Sequence, residues 1–202
     1  MSTQPKITLA SNILAALEIS GLDGAQHLAT RSLDGADWDI FRLKEKLCVM
    51  EDSRFAVFLQ ERREGRLVFI CVLPGGRATL EDTARIAQLE NAIVGGKLIP
   101  DGVGFDSRAL PTVFIANYKG IGGFAGRDAV RKGTAASRQL LSNGNFRGLV
   151  LYTPERDIVS LMIDVTAKIL GPSFHVAQNE TEAFTIARQL LTKPQAKERP
   201  GA

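Results

Sequence analysis

Apolar and polar residues follow a regular order in the second half of this chain. Residues 55–59 are rich in aromatic and β-branched side chains, which predicts a strand. Residues 67–73 are apolar throughout, as expected of a strand buried on both faces. The charged stretch 61–66 between them contains Gly65 and predicts a hairpin turn.

Strand and helix patterns then alternate to the end of the regular part of the chain. Further strands are predicted at 112–116, 148–152 and 173–177. Helices are predicted between these strands and after the last one, where Asn179 is the expected N-cap and Glu182 lies three residues on. This alternation predicts an α/β fold with a mostly parallel sheet of about four to five strands, flanking helices and right-handed crossovers.

The amino-terminal residues have a weaker pattern. Residues 7–19 show roughly helical spacing, and residues 38–50 are interpreted as a short helix. We therefore expect an N-terminal helical extension over 1–53, an α/β domain over 54–192 and a polar, disordered tail over 193–202. The apolar residues of the extension also favour a homo-oligomer.

Composition narrows the class of protein further. The 202 residues are 45% hydrophobic and 23% charged, which is ordinary for a globular domain. No apolar run is long enough for a membrane segment, and the two cysteines, Cys48 and Cys71, read as buried thiols. These features predict a soluble, cytoplasmic protein. The net charge of +3 is small and is taken to be spread along the chain, which argues against nucleic-acid binding.

A glycine-rich turn over 120–126 lies between a predicted strand and a predicted helix. This is the position of a dinucleotide-binding fingerprint, but its spacing is GxGGxxG and no acid follows the next strand. The glycines also suit a tight turn with close helix packing. Arg127, Arg131 and Lys132 follow the turn, either as a solvated helix face or as a site for an anion or an acidic partner.

Candidate catalytic and metal-binding groups are sparse. His27 and His175 have no evident Ser, Cys or Asp constellation around them, and we expect both to be hydrogen-bonded structural residues. Paired acids are explained by loops and by helix amino termini. The sequence therefore predicts no enzyme activity, no metal and no cofactor.

Three segments together resemble the STAS superfamily, in particular its SpoIIAA-like, or STAS/SEC14-like, branch. They are the strand–turn–helix unit 67–96, the strand 112–118 with Gly122, Gly123 and Phe124 at the entry to the next helix, and the closing strand 174–176 with the helix start 182–184. The resemblance covers about 125 residues, from 67 to 191. In phospho-regulated members a Ser or Thr begins the second helix; Ala125 and Gly126 stand there in this chain, so that switch is not expected.

The resemblance implies a non-enzymatic protein-interaction module in bacterial signalling or regulation. Its regulatory protein partner would contact Gly122, Gly123, Phe124, Arg127 and Arg131.

The SEC14-like side of the resemblance implies a second function, as carrier or sensor of a small apolar ligand. Its pocket would be lined by Phe105, Phe124 and Met162. A nucleotide-binding enzyme, based on the glycine turn, is the least favoured hypothesis.

Overall fold

One eight-stranded sheet runs through the described part of the chain, with strands in the order β1-β2-β3-β4-β5-β6-β7-β8. The structure is a computed structural model, and it describes residues 26–33, 36–42, 47–51, 55–72, 82–96, 98, 110–117, 127–152 and 167–193. The strands are β1 (Gln26–Leu33), β2 (Ala36–Arg42), β3 (Leu47–Glu51), β4 (Phe55–Arg62), β5 (Gly65–Val72), β6 (Thr112–Asn117), β7 (Phe146–Tyr152) and β8 (Phe174–Ala177).

Three longer helices are described: α1 (Asp82–Val94), α2 (Arg127–Ser142) and α3 (Glu180–Thr192). A helical turn at 167–170 and the 3₁₀ turn Gly171–Ser173 precede β8. None of the helices in the described ranges is long and apolar enough to cross a membrane.

The sheet has an antiparallel half and a parallel half that meet at β5. Strands β1 to β5 pair antiparallel with their neighbours, whereas β5 to β8 pair parallel. The predicted hairpin is confirmed, because β4 and β5 are joined by a turn at Arg63 and Glu64. The α/β class and the parallel strands β5 to β8 are confirmed as well.

The helix expected over 38–50 is wrong. Residues 36–42 and 47–51 form two antiparallel strands, and β3 pairs with β4, so the expected boundary after residue 53 falls inside one sheet. The sheet consequently has more strands than expected, and four of its seven pairings are antiparallel. Backbone pairing with an existing sheet satisfies hydrogen bonds that a short isolated helix would leave open. The rest of the proposed extension, residues 1–25, lies outside the described residues.

Core packing lies on both faces of the parallel half. On one face, Val68, Ile70, Phe114 and Leu149 pack in a cluster with residues of α1, including Ile86 and Ile93. The opposite face is covered by α3, where the rings of Phe69 and Phe184 stack with centroids 5.6 Å apart. This arrangement explains why β5 reads as a continuous apolar run, since both of its faces are buried.

The placement of the helices follows from the strand order. Each step from β5 to β6 and from β6 to β7 moves one strand in the same direction, so right-handed crossovers put α1 and α2 side by side on one face. Within the described strands the order does not reverse, so these strands lack the crevice where doubly wound folds bind nucleotides. The sheet therefore gives the nucleotide hypothesis no geometric support.

Candidate interaction surface

Helix α2 packs against α1 through small side chains. The amide Nδ2 of Asn91 on α1 donates to the backbone oxygen of Ala136 on α2 at 2.8 Å, and also to the oxygen of Ala87 at 2.8 Å. Ala87 and Ala136 are both buried, which allows the two backbones to approach closely. This contact fixes which side of α2 faces the solvent.

The solvent-facing side of α2 is basic. Arg131, Lys132 and Arg138 are exposed, and Ala135 is exposed between them at helical spacing. By sequence, α2 carries four basic residues against one acidic residue, a formal charge of +3. That equals the net charge of the whole chain, so the other residues together are formally neutral. By this count α2 is one locally basic segment of a chain whose other basic and acidic residues balance.

Asp128 is the single acid of α2, and it neutralises little of this charge. Its Oδ1 atom lies 3.6 Å from Nη2 of Arg131, and the two side chains are 89% and 82% exposed. Ion pairs this exposed contribute little, because water and salt screen them. The surface therefore remains positive.

Helix stability does not account for the position of these cations. Cations stabilise a helix at its carboxyl end, where they interact with the helix dipole. The last turn of α2 has no basic residue, whereas Arg127 is its first residue. The basic residues are thus placed where the helix dipole does not stabilise them, which leaves them available for binding.

Helix α3 on the opposite face of the sheet differs in charge. It contains Glu180 and Glu182 in its first turn and a single basic residue, Arg188, which is exposed. The two helix-covered faces are thus electrostatically unlike, and of the helices α2 and α3 it is α2 that is complementary in charge to an acidic partner.

The sequence-predicted site residues fall into two groups. Arg127 begins α2 and Arg131 belongs to its exposed face. The positions Gly122, Gly123, Phe124, Phe105 and Met162 lie outside the described residues. Arg138 was not predicted, although its spacing of seven residues from Arg131 places it on the same helix face and could have identified it.

Polar residues also gather at the carboxyl ends of the parallel strands. Asn117 ends β6 and pairs in register with Tyr152 at the end of β7. Burial, with a smaller contribution from the nearby carboxylate of Glu180, raises the pKa of the Tyr152 hydroxyl. The group therefore stays protonated at neutral pH and can donate a hydrogen bond.

His175 lies half-buried on β8. Burial and nearby Lys193 lower the pKa of its imidazole, and a hydrogen bond with the backbone of Pro172 opposes that shift. The ring is thus neutral at neutral pH, in keeping with a structural role. In the parts of the chain that the structure describes, no group of three metal-ligating side chains is assembled.

Glu90 on α1 is a buried acid that the sequence analysis missed. It occupies the apolar side of its helix, one turn after Ile86 and one turn before Val94. The sequence contained a signal for this residue, because Glu90 lies four residues after apolar Ile86 and four residues before apolar Val94, within the apolar face of the helix.

Comparison with known proteins adds no identification: no family model, no curated protein and no solved structure matches this chain.

Proposed function

We propose that this protein is a non-enzymatic interaction module that binds an acidic surface of a regulatory protein through the outer face of α2. The supporting observation is that Arg131, Lys132 and Arg138 of α2 are exposed, whereas the helix contains a single acid, Asp128. The sequence resemblance to the STAS superfamily implies the same kind of role. The binding residues are Arg127, Arg131, Lys132 and Arg138.

The geometry of α2 suits contact with a flat protein surface. Ala135 lies among the exposed cations, and its small side chain lets a partner approach the helix closely. Acidic residues on the partner would raise the association rate and orient the partner on α2. Both effects would depend strongly on ionic strength. The α1 contact on the inner side holds the helix in place while the outer side binds.

Site-specific cross-linking tests the proposal directly. A photo-reactive residue replaces Ala135 on the outer face of α2, and in a matched control it replaces Thr185, which is exposed on α3. We expect a protein adduct from position 135, formed in the source cells, and none from position 185. An adduct with RNA, or equal adducts from both positions, would contradict the proposal.

Charge reversal then tests the purified complex. Arg131→Glu, Lys132→Glu and Arg138→Glu together should weaken binding of the cross-linked partner by about tenfold or more, since each exposed charge contact contributes up to about 1 kcal/mol. The control Arg188→Glu changes an exposed arginine on the other face and should leave the dissociation constant unchanged. Isothermal titration calorimetry at two salt concentrations measures both, and equal effects of the two variants would refute the assigned surface.

A further inference from the structure

Glu90 is almost completely buried, with 3% of its surface exposed. Its neighbours one turn away on α1, Ile86, Ile93 and Val94, are all fully buried. The carboxyl oxygen Oε1 has no hydrogen-bond partner in the described part of the structure. A buried acid in such surroundings is neutral, because an ion would lose its hydration without compensation.

Glu90 is adjacent in sequence to a residue that links two helices. The next residue, Asn91, donates the hydrogen bond that links α1 to the backbone of Ala136 on α2. Small residues, Ala87 and Ala136, hold the two helices close at this point. A charge appearing at Glu90 would therefore arise one residue along α1 from the hydrogen bond that links this helix to α2.

Charged groups on the surrounding elements do not offset the burial of Glu90. On the sheet face beneath α1, Arg66 is paired with Glu61 at 3.1 Å, and Arg42 ends β2, three strands away from β5 in the sheet. Asp82 and Arg85 pair with each other at the start of α1, and the charged residues of α2, Asp128, Arg131, Lys132 and Arg138, are exposed. Burial alone raises the pKa of the Glu90 carboxyl to about 8.

The direction of the pH effect follows from this shift. Between pH 4.5 and about 8 the folded protein keeps the proton on Glu90 while the unfolded chain has released it. Folding stability is therefore highest below pH 4.5 as far as this group is concerned, and falls as the pH rises toward 8. Above about pH 8 the folded protein must hold a buried negative charge.

We propose that the contact between α1 and α2 is a pH-sensitive switch, in which proton release from Glu90 loosens α2 from α1. The site responds to pH above neutrality. The switch does not depend on what α2 binds.

Hydrogen exchange followed by mass spectrometry tests the switch on the full chain. Exchange is measured at pH 6.5 and 8.5 and corrected for the intrinsic rate. We expect the backbone amides of α1 and α2 to exchange faster at the higher pH after this correction. Peptides from α3 serve as the internal control. In Glu90→Gln, which cannot ionise, the pH dependence of α1 and α2 should disappear.

Stability measurements provide a second readout in case Glu90→Gln folds poorly. Glu90→Met is an apolar replacement of similar size and should keep the core packed at every pH. Between pH 6 and 7.5 the unfolding equilibrium constant of the unaltered protein should rise by about tenfold per pH unit from this group, a slope that Glu90→Met lacks. An identical slope in both proteins, or opening of α3 in step with α1 and α2, would overturn the switch.

Discussion

At the scale of single residues, the start of α3 shows how local chemistry fixes a helix end. Oδ1 of Asn179 accepts a hydrogen bond from the backbone N–H of Glu182 at 2.9 Å. In return, Oε2 of Glu182 accepts from the backbone N–H of Gln178 at 2.7 Å. Two free N–H groups at the helix start are thereby satisfied, and the spacing of the two side chains allowed this cap to be predicted from the sequence.

Replacing the cap residue should measurably weaken the fold. We expect Asn179→Ala to lower the free energy of unfolding by about 1 kcal/mol, because the N–H of Glu182 loses its acceptor. Urea denaturation measures the change. Gln189→Ala, at an exposed position inside the same helix, is the control and should have a much smaller effect. A similar loss in both variants would show that the cap is not what stabilises this end.

Two glycines in the second half of the chain have opposite packing environments. A Cβ atom at Gly148 on β7 would lie 2.8 Å from Cδ1 of Leu190 and 3.0 Å from the backbone oxygen of Ser173. Gly148 thus permits α3 to lie close on the sheet. Gly133 in the middle of α2 has no atom within 4 Å of the same position, so packing does not require a glycine there.

Alanine at these two glycines should shift stability in opposite directions. Gly148→Ala overpacks the contact between α3 and the sheet and should cost about 1–3 kcal/mol. Gly133→Ala should stabilise the protein by about 0.5–1 kcal/mol, since alanine favours helix and meets no obstacle. Thermal and urea unfolding of the two variants measures the difference. A stabilised Gly148→Ala variant would show that the contact between α3 and the sheet accommodates a Cβ atom at this position.

At the scale of elements, the sequence predicted the parallel half well and the antiparallel half poorly. Strands β4 to β8 and helices α2 and α3 are bounded by turn residues and have unambiguous periods, so their predicted limits agree within a few residues. In β2, polar Asp37 and Asp39 alternate with Trp38 and Ile40, which is a strand pattern, but apolar Phe41 breaks the alternation. Trp38 and Phe41 then appear at helical spacing, and pairing with β1 and β3 decides the outcome.

The candidate surface was only partly predictable for a related reason. The cluster of Arg127, Arg131 and Lys132 is visible in the sequence as a basic stretch. Whether these residues form an exposed surface depends on which side of α2 packs against α1. The contact between Asn91 and Ala136 determines that side. Side chains far apart in the sequence meet there, and a single sequence without tertiary contacts does not reveal them.

At the scale of the whole molecule, the sheet has a protected centre and two open edges. Helices cover both faces of the parallel half, so β5, β6 and β7 are buried in the middle of the sheet. Within the described strands, β1 and β8 have a partner on one side only, and Val176 on β8 is 49% exposed. Stability against local opening should therefore vary across the molecule.

Amide exchange should report this gradient. We expect the amides of β5, β6 and β7 to exchange slowest, and those of β1 and β8 to exchange fastest among the strands, because edge strands open without disturbing the core. Peptide-resolved hydrogen exchange at pH 6, where Glu90 is protonated in the folded protein, separates this gradient from the switch. Equal protection of the backbone amides of β1 and β6 against exchange would contradict the expected gradient.

The linear order of the sheet also determines how the protein can be built. Among the described strands, each one from β2 to β8 lies next to the strand that precedes it in the chain, so its partner is already present when it forms. Within the antiparallel half, paired strands are therefore close together in sequence. In the parallel half, the helical crossovers increase the sequence separation between paired strands. A chain emerging from the ribosome can therefore extend this sheet one strand at a time, without waiting for a distant segment to be synthesised.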